Sequence, residues 1–417
     1  MFAAQGDRGG VGSFDPNQQH WSQSVEVEQG GNVLVLHPRS KWASLGITPA
    51  DVTVAEVGYY SMYGDVDHWQ SLEPRTDRSL MRKVAREFCQ DPQEAPLRVD
   101  FDLNDGYANA ALDGILFKQQ IPVLMEWARQ NAEDPELRAI KDQIDIVSTC
   151  STLANLMQAL YDNTAGNLIF GAARVNGKVV VGSLIRPDIH GVTEGASNSR
   201  TGSGSRQGRA KFWGRRFEVY MTADDEGVEN LDGGNGKVAA PRFRTVVHAK
   251  LSELNLLLAA GVDATNLSGN DHYPKKYVDF ATVTRKGFES SNYTYRGHML
   301  RWWTNNVLNG TGTLFAGVHN NGHVMEVKQY SIDMLPAIVK AKEESAGTWL
   351  WDPDVCLGFL HALLKFVLNK VVKPHVNVVY EFRCDKEIGA FTSREVPTDI
   401  ADGHDYLQGD AVQNFLA

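Results

Sequence analysis

The chain has 417 residues, of which 42% are hydrophobic and 22% charged, and its formal net charge is −10. This balance is ordinary for a folded globular protein and excludes a mostly disordered chain, a collagen-like repeat and a coiled coil. The negative net charge disfavours a protein that coats nucleic acid nonspecifically, because such proteins present a basic surface. The four cysteines show no CxxC spacing, which argues against a disulfide scaffold or a structural zinc site. No apolar run approaches the length of a transmembrane helix, so no membrane partner is expected.

The first third of the chain is predicted to be mainly helical after a short extension. Residues 1–54 surround one apolar run, Val33–Leu36, and are interpreted as an N-terminal extension that holds one strand. A helix is predicted over Asp77–Glu87, with Asp77 as its cap. Two further helices are predicted over Ala108–Gln130 and Ile144–Tyr161 from apolar residues at helical spacing.

From residue 167 onwards the hydrophobic period changes towards two, which predicts strands. Helices return at Tyr293–Leu308 and at Pro353–Val371, the second with Asp352 as N-cap. Because strands and helices do not alternate, the predicted fold class is α+β, a mixed β-sheet core flanked by helices. A single domain is predicted over 55–385, followed by a C-terminal tail at 386–417. The predicted strands are Leu168–Arg174, Lys178–Ser183, Phe212–Thr222, Arg242–His248, Leu254–Val262, Lys276–Thr284, Gly312–Val318, His323–Tyr330 and Val376–Phe382.

Two neighbouring stretches carry opposite charge. Ser197–Arg216 contains basic residues and no acid, and its Gly and Ser content predicts a loop that runs into a strand. Asp224–Asp232 is acidic. Either both are solvated loops, or the basic stretch is an arm that contacts phosphates.

Common catalytic motifs are absent. The sequence contains no GxGxxG after a strand, no GxxxxGK[ST], no HExxH and no GxSxG. His319 and His323 lie four residues apart, but on a predicted turn, where surface histidines are expected more often than a metal pair.

Several segments resemble the DXO-type decapping exonuclease family. HMLRWWTNNVLNGTGTLFAGVHNNGHV (298–324) is similar to the family's Lys-Trp-Trp-x-Gln-Ser motif and the strand that follows it. TWLWDPDVCLGFLHALLKFV (348–367) is similar to its Trp-Asn-Pro-x-Val-Cys-x-x-Phe helix. Three shorter segments agree in order and spacing, namely FDLNDGY (101–107), YMTADD (220–225) and VVYEFRCD (378–385). The resemblance implies a DXO-like fold over 55–385.

The resemblance also implies a chemistry, the metal-dependent hydrolysis of RNA at its 5′ end. In the family, carboxylates hold divalent metals, and an arginine, a lysine and a glutamine hold the terminal phosphate and the scissile group. The family's positions fall on Arg174 for the arginine, Glu218 for the Gly-x-x-x-Glu motif, Gly261-Val262-Asp263 for Glu-x-Asp, Asp279-Phe280-Ala281 for Glu-x-Lys, Asn305 for the glutamine and Asn306 for the serine.

The departures from the family pattern predict that hydrolysis is lost. Gly261 lacks the first acid, Asp279 is one methylene shorter than glutamate, and Ala281 lacks the lysine charge that would stabilise the transition state. Because such groups act as a unit, no catalytic residue is expected. Glu218, Asp263 and Asp279 are interpreted as a vestigial metal site. No cofactor is expected, and Mg²⁺ only if activity or triphosphate binding requires it.

Two nearby features are interpreted as structural. Glu326-Val327-Lys328 is a second Glu-x-Lys triplet, but it lies after the tryptophan motif and is read as a sheet-edge pair. Trp302 and Trp303 are expected to be core aromatics of an amphipathic helix.

The leading functional hypothesis is an inactive family member that binds and stabilises RNA through its 5′ triphosphate. Degenerate members that it resembles include the kinetoplastid mitochondrial guide-RNA-associated proteins of the RNA-editing substrate-binding complex. That resemblance implies a guide RNA ligand, a paralogous DXO-like subunit, further RNA-processing proteins and a mitochondrial location. The predicted 5′-end pocket comprises Arg174, Glu218, Asp263, Asp279 and Asn305. The candidate contacts to the RNA backbone are Arg200, Arg206, Arg209, Lys211, Arg215, Arg216, Lys275, Lys276 and Arg301.

Other functions stay open at this point. An insect nuclear factor that shields small-RNA precursors forms a second degenerate group, so a nuclear or cytoplasmic location is the alternative. The chain can instead be an active, divergent hydrolase that uses Glu218, Asp263 and Asp279 with one metal. It can also be a scaffold, since some family members bind a 5′–3′ exonuclease. In a purely structural reading, Glu218 and Asp263 are buried acids paired with Arg174 or Arg216.

Overall fold

The fold is seen in a computed structural model, which describes residues 33–35, 39–64, 72–85, 88, 96–107, 111–112, 120–161, 168–183, 206–222, 232–233, 237–238, 242–266, 277–289, 294–374, 378–385 and 389–397. The strands are β1 Val33–Val35, β2 Val52–Tyr63, β3 Glu73–Arg75, β4 Leu97–Asp102, β5 Ala111–Leu112, β6 Ile146–Thr149, β7 Ile169–Val175, β8 Lys178–Ser183, β9 Asp232–Gly233, β10 Lys237–Val238, β11 Phe243–Leu251, β12 Leu254–Gly261, β13 Ala264–Thr265, β14 Tyr277–Thr284, β15 Thr313–Asn320, β16 His323–Ser331, β17 Val378–Asp385 and β18 Ala390–Pro397. The α-helices are α1 Arg39–Ala43, α2 Gln120–Gln130, α3 Pro135–Ile140, α4 Cys150–Gln158, α5 Arg206–Met221, α6 Arg285–Glu289, α7 Met299–Val307, α8 Leu335–Ala346 and α9 Pro353–Lys370. Short 3₁₀ turns lie at Pro49–Asp51 and Ile332–Met334, and a π-helical turn at Thr294–His298 leads into α7.

A ten-stranded mixed sheet forms the centre of the molecule, in the order β1-β18-β17-β7-β8-β6-β12-β11-β2-β3. Strand β6 is parallel to both of its neighbours, β8 and β12, while the other pairs in the sheet are antiparallel. Both faces of the sheet are covered by helices. Along β12, Leu256 and Leu258 contribute to the large core with α4, α7 and α9, whereas Leu257 and Ala259 contribute to the core with α2. This alternation follows from the two-residue period of a strand buried on both sides.

A second sheet of five strands, in the order β13-β14-β15-β16-β4, lies against helix α5. Phe217 and Met221 of α5 pack on Phe280 and Phe315 of this sheet. Gly317 of β15 permits the close approach, because a Cβ there would lie 2.7 Å from Cε2 of Phe217. The packing fixes the last turn of α5, and with it Glu218, against β14. A small sheet, β5-β10-β9, completes the described strands.

The α+β prediction is confirmed, and most predicted strands between β7 and β17 are observed within a few residues of their predicted limits. The helix predicted over Pro353–Val371 is observed with Asp352 as its N-cap, whose side chain accepts a hydrogen bond from the Asp354 N–H. Trp302 and Trp303 are buried in the large core, as predicted. In the part of the chain that the structure describes, no helix has the length and apolarity needed to cross a bilayer.

Several local predictions are wrong. The strand predicted over Phe212–Thr222 is the end of helix α5, because its buried residues recur at helical spacing. Residues 78–85 contain no helix, and Val84 instead forms a strand bridge to Thr222. Ile144–Tyr161 is divided into β6 and α4 at Thr149, which caps α4. Of the helix predicted over Ala108–Gln130, only α2 is observed; part of the remainder lies outside the described residues.

The main sheet extends beyond the predicted domain limits of 55 and 385. Strand β18 follows the upper limit and pairs with β17, and β1 from the N-terminal extension pairs with β18. Helix α1 contacts α9 from the same extension. Residues 33–43 and 390–397 are therefore part of the folded unit rather than of an extension and a tail.

Candidate functional site

Three carboxylates predicted from the sequence meet where β12, β14 and α5 come together. Asp263 follows β12, Asp279 lies in β14, and Glu218 lies in the last turn of α5. The backbone N–H of Phe280 donates to Asp263 Oδ2 at 2.9 Å and to Asp279 Oδ1 at 3.1 Å. One peptide group therefore holds two carboxylates side by side.

The proximity of these two acids changes the protonation of Asp263. Burial raises its pKa well above the ordinary value, and the neighbouring Asp279 carboxylate raises it further. The Phe280 N–H and Arg215 act in the opposite direction but do not outweigh these effects. Asp263 therefore keeps its proton to higher pH than an ordinary aspartate does.

Glu218 is held between two arginines. It accepts a hydrogen bond from Arg82 Nη1 at 3.0 Å on Oε2, and Arg215 Nη1 lies 3.0 Å from Oε1. Burial and the neighbouring Asp263 raise the pKa of Glu218 above its ordinary value, while Arg215 and Arg82 oppose this rise. We describe the carboxylate as ionised, because two guanidinium groups at hydrogen-bond distance favour the charged form.

Arg215 links Glu218 to the aspartate pair. Burial alone would lower its pKa, but Glu218, Asp263 and Asp279 together raise it. Its side chain keeps 24% of its exposure, compared with 4% for Arg82. Of these two arginines, Arg215 is therefore the one that solvent can contact.

Arg244 is a third cation at the site, and it comes from the central sheet. It lies in β11 directly opposite Gly261 of β12 and is buried. Its Nη1 donates to the carbonyl oxygen of Phe243 at 2.9 Å, and the guanidinium interacts electrostatically with Asp263 and Glu218. We refer to Arg82, Arg215, Glu218, Arg244, Asp263 and Asp279 as the acid–arginine cluster.

Sequence reasoning missed Arg82 and Arg244. Arg82 pairs with a residue 136 positions away, and Arg244 contributes through a cross-strand neighbour, so neither partner can be read from local spacing. The only local signal is an arginine inside an otherwise apolar pattern, as in Leu80-Met81-Arg82 or Phe243-Arg244-Thr245.

Arg174, the predicted phosphate-binding arginine, does not lie in the cluster. Its Nε and Nη1 donate to the carbonyl oxygens of Val371 and Gly177, each at 2.7 Å. Across the sheet, Arg174 is paired with Val179, Val179 with Ile146, and Ile146 with Leu256, so Leu256 lies three strands away from Arg174. Asp263 lies a further seven residues along the chain. At about 4.8 Å per strand and about 3.3 Å per residue, the separation is roughly 25 Å. Arg174 instead connects the end of α9 to β7. The alternative prediction that Glu218 or Asp263 pairs with Arg174 is therefore also wrong.

The tryptophan motif contributes Asn306 rather than Asn305. Asn306 is buried, and its Nδ2 donates to Asp279 Oδ2 at 2.8 Å and to the carbonyl oxygen of Trp302 at 2.9 Å. Asn305, the predicted pocket residue, is half-buried one position earlier on α7. Because successive helical residues point about 100° apart, the two asparagines face different directions.

The structure describes some of the cations that were predicted to contact the RNA backbone. Arg209 lies over the ring of Tyr107 at 5.3 Å, and Lys211 is exposed on the same helix, α5. Arg216 is paired with Asp105 at 2.5 Å rather than with Glu218. Arg301 is exposed on α7. Arg200, Lys275 and Lys276 lie outside the described residues, and of Arg206 only the backbone, at the start of α5, is described.

The FDLNDGY segment (101–107) orients helix α5. Besides the Arg216–Asp105 pair, Trp213 Nε1 donates to Asn104 Oδ1 at 3.1 Å, and Tyr107 packs on Phe212 at 5.2 Å between ring centroids. This segment therefore positions the helix that carries Glu218 and Arg215.

The Glu326–Lys328 triplet lies away from the cluster. It belongs to β16, which is an interior strand between β15 and β4, so the predicted sheet-edge position is wrong. Glu326 is buried and lies 3.6 Å from Arg98 and 3.8 Å from Arg285, which gives it a structural role.

The acid–arginine cluster does not fit a carboxylate-rich metal centre. Across the described part of the chain, no three His, Cys, Asp or Glu side chains converge as metal ligands. The two aspartates lie together, but Glu218 uses its oxygens on two guanidinium groups. Divalent cations of the Mg²⁺ type require several oxygen ligands in near-ideal geometry. We therefore derive no reaction step through a metal.

Comparisons with known proteins agree on one family. The family model described as "RAI1 like PD-(D/E)XK nuclease" matches residues 54–411. A decapping and exoribonuclease protein of Xenopus laevis is 25% identical over 218 residues, 49% of this chain and 51% of that protein. The protein of the same description from Bos taurus is 30% identical over 176 residues, 41% of this chain and 42% of that protein. The match thus spans about half the length of these curated relatives.

Solved structures show the same fold. Candida albicans Rai1 in complex with pU5-Mn²⁺ superposes with a TM-score of 0.65 and 14% identity, covering 87% of this chain and 94% of that one. At this identity the similarity concerns the fold alone.

Proposed function

Because the chain belongs to the RAI1-like PD-(D/E)XK nuclease family, we propose that it binds the phosphorylated 5′ end of RNA at the acid–arginine cluster without hydrolysing it. Family membership supports a role at RNA 5′ ends. The presence of three arginines among the altered motifs supports binding over cleavage.

The charge balance of the cluster carries this proposal. Three acids face three arginines, so their formal charges balance, and the raised pKa of Asp263 shifts this balance towards positive. A site that concentrates metal ions would be strongly negative. A guanidinium group binds a phosphate through two parallel charge-assisted hydrogen bonds, and Arg215 is open to solvent for such a contact.

The altered residues support the absence of turnover. Ala281 is packed against the large core, so no lysine ammonium is supplied beside Asp279 in β14. Gly261 contributes no carboxylate at the end of β12. A cation that stabilises developing charge is typically worth about 10²–10³-fold in rate.

Metal-dependent hydrolysis is the second candidate function, and one observation favours it. Asp263 and Asp279 remain side by side on the Phe280 N–H, where one cation would contact both side chains. The relatives are described as decapping and exoribonuclease proteins, and the similar Candida albicans Rai1 structure contains pU5-Mn²⁺. This candidate predicts 5′-end hydrolysis by the present chain.

Product analysis separates the two candidates. The purified chain is incubated with 5′-triphosphate RNA and Mg²⁺ or Mn²⁺, and the RNA is examined for released pyrophosphate, cap fragments or nucleotides. We expect intact RNA. Turnover that disappears in Asp279→Asn, while Arg174→Ala retains it, would overturn the binding proposal in favour of hydrolysis.

We further propose guide RNA as the ligand, within a mitochondrial RNA-editing complex that contains a paralogous subunit. The support is the combination of a family fold with altered motifs. Crosslinking in cells, followed by sequencing of the bound 5′ ends, tests the RNA class. A scaffold role predicts instead that partners are recovered after nuclease treatment while no RNA ends are enriched.

A further inference from the structure

Arg244 and Gly261 form a cross-strand pair at the edge of the acid–arginine cluster. Arg244 is only 8% exposed, whereas Gly261 is exposed. A Cβ added to Gly261 would lie 3.6 Å from Nη1 and 3.7 Å from Cζ of Arg244. The guanidinium group therefore borders the space above an exposed glycine.

The orientation of Arg244 is fixed by the fold. Its Nη1 donates to the Phe243 carbonyl oxygen at 2.9 Å, and its charge acts on Asp263 and Glu218. Glu218 already has Arg82 and Arg215 at hydrogen-bond distance. An anion that enters above Gly261 would therefore meet a preorganised cation in a neutral to positive environment, where charge-assisted hydrogen bonds are strong.

We infer that the space above Gly261 is the seat of the terminal phosphate, and that Arg244 contacts the phosphate there in addition to Arg215. This inference rests on the proposed function and adds to it a specific residue and a specific place. The glycine matters because the absence of a side chain leaves room for phosphate oxygens beside Nη1 of Arg244.

Substitution of Gly261 tests the inference with a matched pair of variants. Gly261→Glu adds a carboxylate that pairs with Arg244 and takes the place of the phosphate. Gly261→Gln adds nearly the same volume without the charge. Both side chains are compatible with the backbone, because Gly261 is not among the residues with positive φ and the new Cβ would make ordinary contacts. Thermal unfolding of both variants checks that they fold equally well.

The measurement is the affinity of each protein for 5′-triphosphate RNA and for 5′-hydroxyl RNA of the same sequence. We expect the unmodified chain to prefer the triphosphate by at least about tenfold, as one charge-assisted contact predicts. In Gly261→Glu the ratio of the two affinities should fall to about one. In Gly261→Gln it should stay at half or more of the ratio of the unmodified chain.

The outcomes distinguish the inference from the proposed function. If the unmodified chain prefers the triphosphate but the two variants lose that preference equally, Arg244 is a structural counter-ion and the inference is wrong. If the unmodified chain shows no preference, the proposed function fails and the inference fails with it.

Discussion

At the residue scale, the pair Asp263 and Asp279 shows how the fold sets the chemistry of a side chain. Both accept a hydrogen bond from the Phe280 N–H, and both are half-buried beside Arg215. An isolated aspartate is ionised at neutral pH, but here burial and the neighbouring Asp279 favour the protonated form of Asp263. The pair can thus coexist with a phosphate, which two ionised carboxylates would repel.

The raised pKa of Asp263 predicts a pH-dependent stability. In the unfolded chain the group releases its proton near pH 4, whereas the folded chain keeps it to higher pH. The free energy of unfolding should therefore fall as pH rises above about 4, by at most about 1.4 kcal/mol per pH unit from this group. Asp263→Asn removes this dependence, so its stability relative to the unmodified chain should increase from pH 4 to 7.

Urea unfolding of both proteins across this pH range checks the prediction. Below about pH 4 the difference between them should be constant, because Asp263 is then protonated in both states. A difference that stays constant from pH 4 to 7 would show that Asp263 has an ordinary pKa in the folded protein.

The site residues could be predicted only where a motif marks them. Glu218, Asp263 and Asp279 were found through resemblance, and the structure brings them together. Arg82 and Arg244 were not found, because their partners are distant in the chain. Arg174 was assigned from local similarity, and strand register places it far from the acids. Cross-strand and helix–sheet contacts, which no spacing rule reports, determine the arginines of the site.

At the element scale, helix α5 connects the basic stretch to the carboxylates. It carries Arg209 and Lys211 towards its start and Arg215 and Glu218 towards its end. Its contact with β15 depends on Gly317, where a Cβ would lie 2.7 Å and 2.9 Å from atoms of the Phe217 ring. The position of Glu218 therefore depends on a glycine in β15 of the five-stranded sheet.

Gly317→Ala should destabilise the protein by about 1–3 kcal/mol, the usual range for overpacking a core. Gly214→Ala is the matched control on α5 itself, where an added Cβ has no atom within 4 Å. Helix propensity predicts that this control is stabilised by up to about 1 kcal/mol. Chemical denaturation measures both. Equal effects of the two substitutions would show that α5 does not pack closely on β15.

The basic residues of α5 predict a salt effect on RNA binding. Each phosphate contact on a single strand contributes about 0.7 to the slope of log K against log salt. Substitution of Arg206, Arg209 and Lys211 by alanine should lower the slope by up to about two. Titrations at several salt concentrations measure it, with Arg174→Ala as the control. An unchanged slope in the triple variant would show that these side chains of α5 are solvated and make no phosphate contact.

Helices and strands were predicted correctly where the hydrophobic period and the length of the segment indicate the same type of element. Strands such as β8 and β12 and the long helix α9 are buried on well-defined faces, and their patterns are clear. It failed for α5, whose aromatic and charged residues also fit an alternating pattern. It failed as well at the junction of β6 and α4, where a four-residue strand ends directly in a helix. In these places tertiary packing, rather than local preference, decides the structure.

At the scale of the whole molecule, an acidic chain contains a local cluster whose charges balance. The net charge of −10 disfavours nonspecific attraction of RNA, so binding must rely on a specific site. The central sheet supplies Arg244, the second sheet supplies Asp279, and α5 supplies Glu218 and Arg215. The cluster therefore forms only when both sheets and α5 are in place.

The most direct measurement is the ratio of affinities for 5′-triphosphate and 5′-hydroxyl RNA of identical sequence, with Arg215→Ala and Arg174→Ala for comparison. We predict a ratio of at least about ten for the unmodified chain, which corresponds to one charge-assisted contact. Arg215→Ala should lower the ratio, whereas Arg174→Ala should retain it, because Arg174 lies roughly 25 Å from the acids of the cluster. A ratio near one in the unmodified chain, or its loss in Arg174→Ala alone, would contradict binding of the RNA end at the acid–arginine cluster.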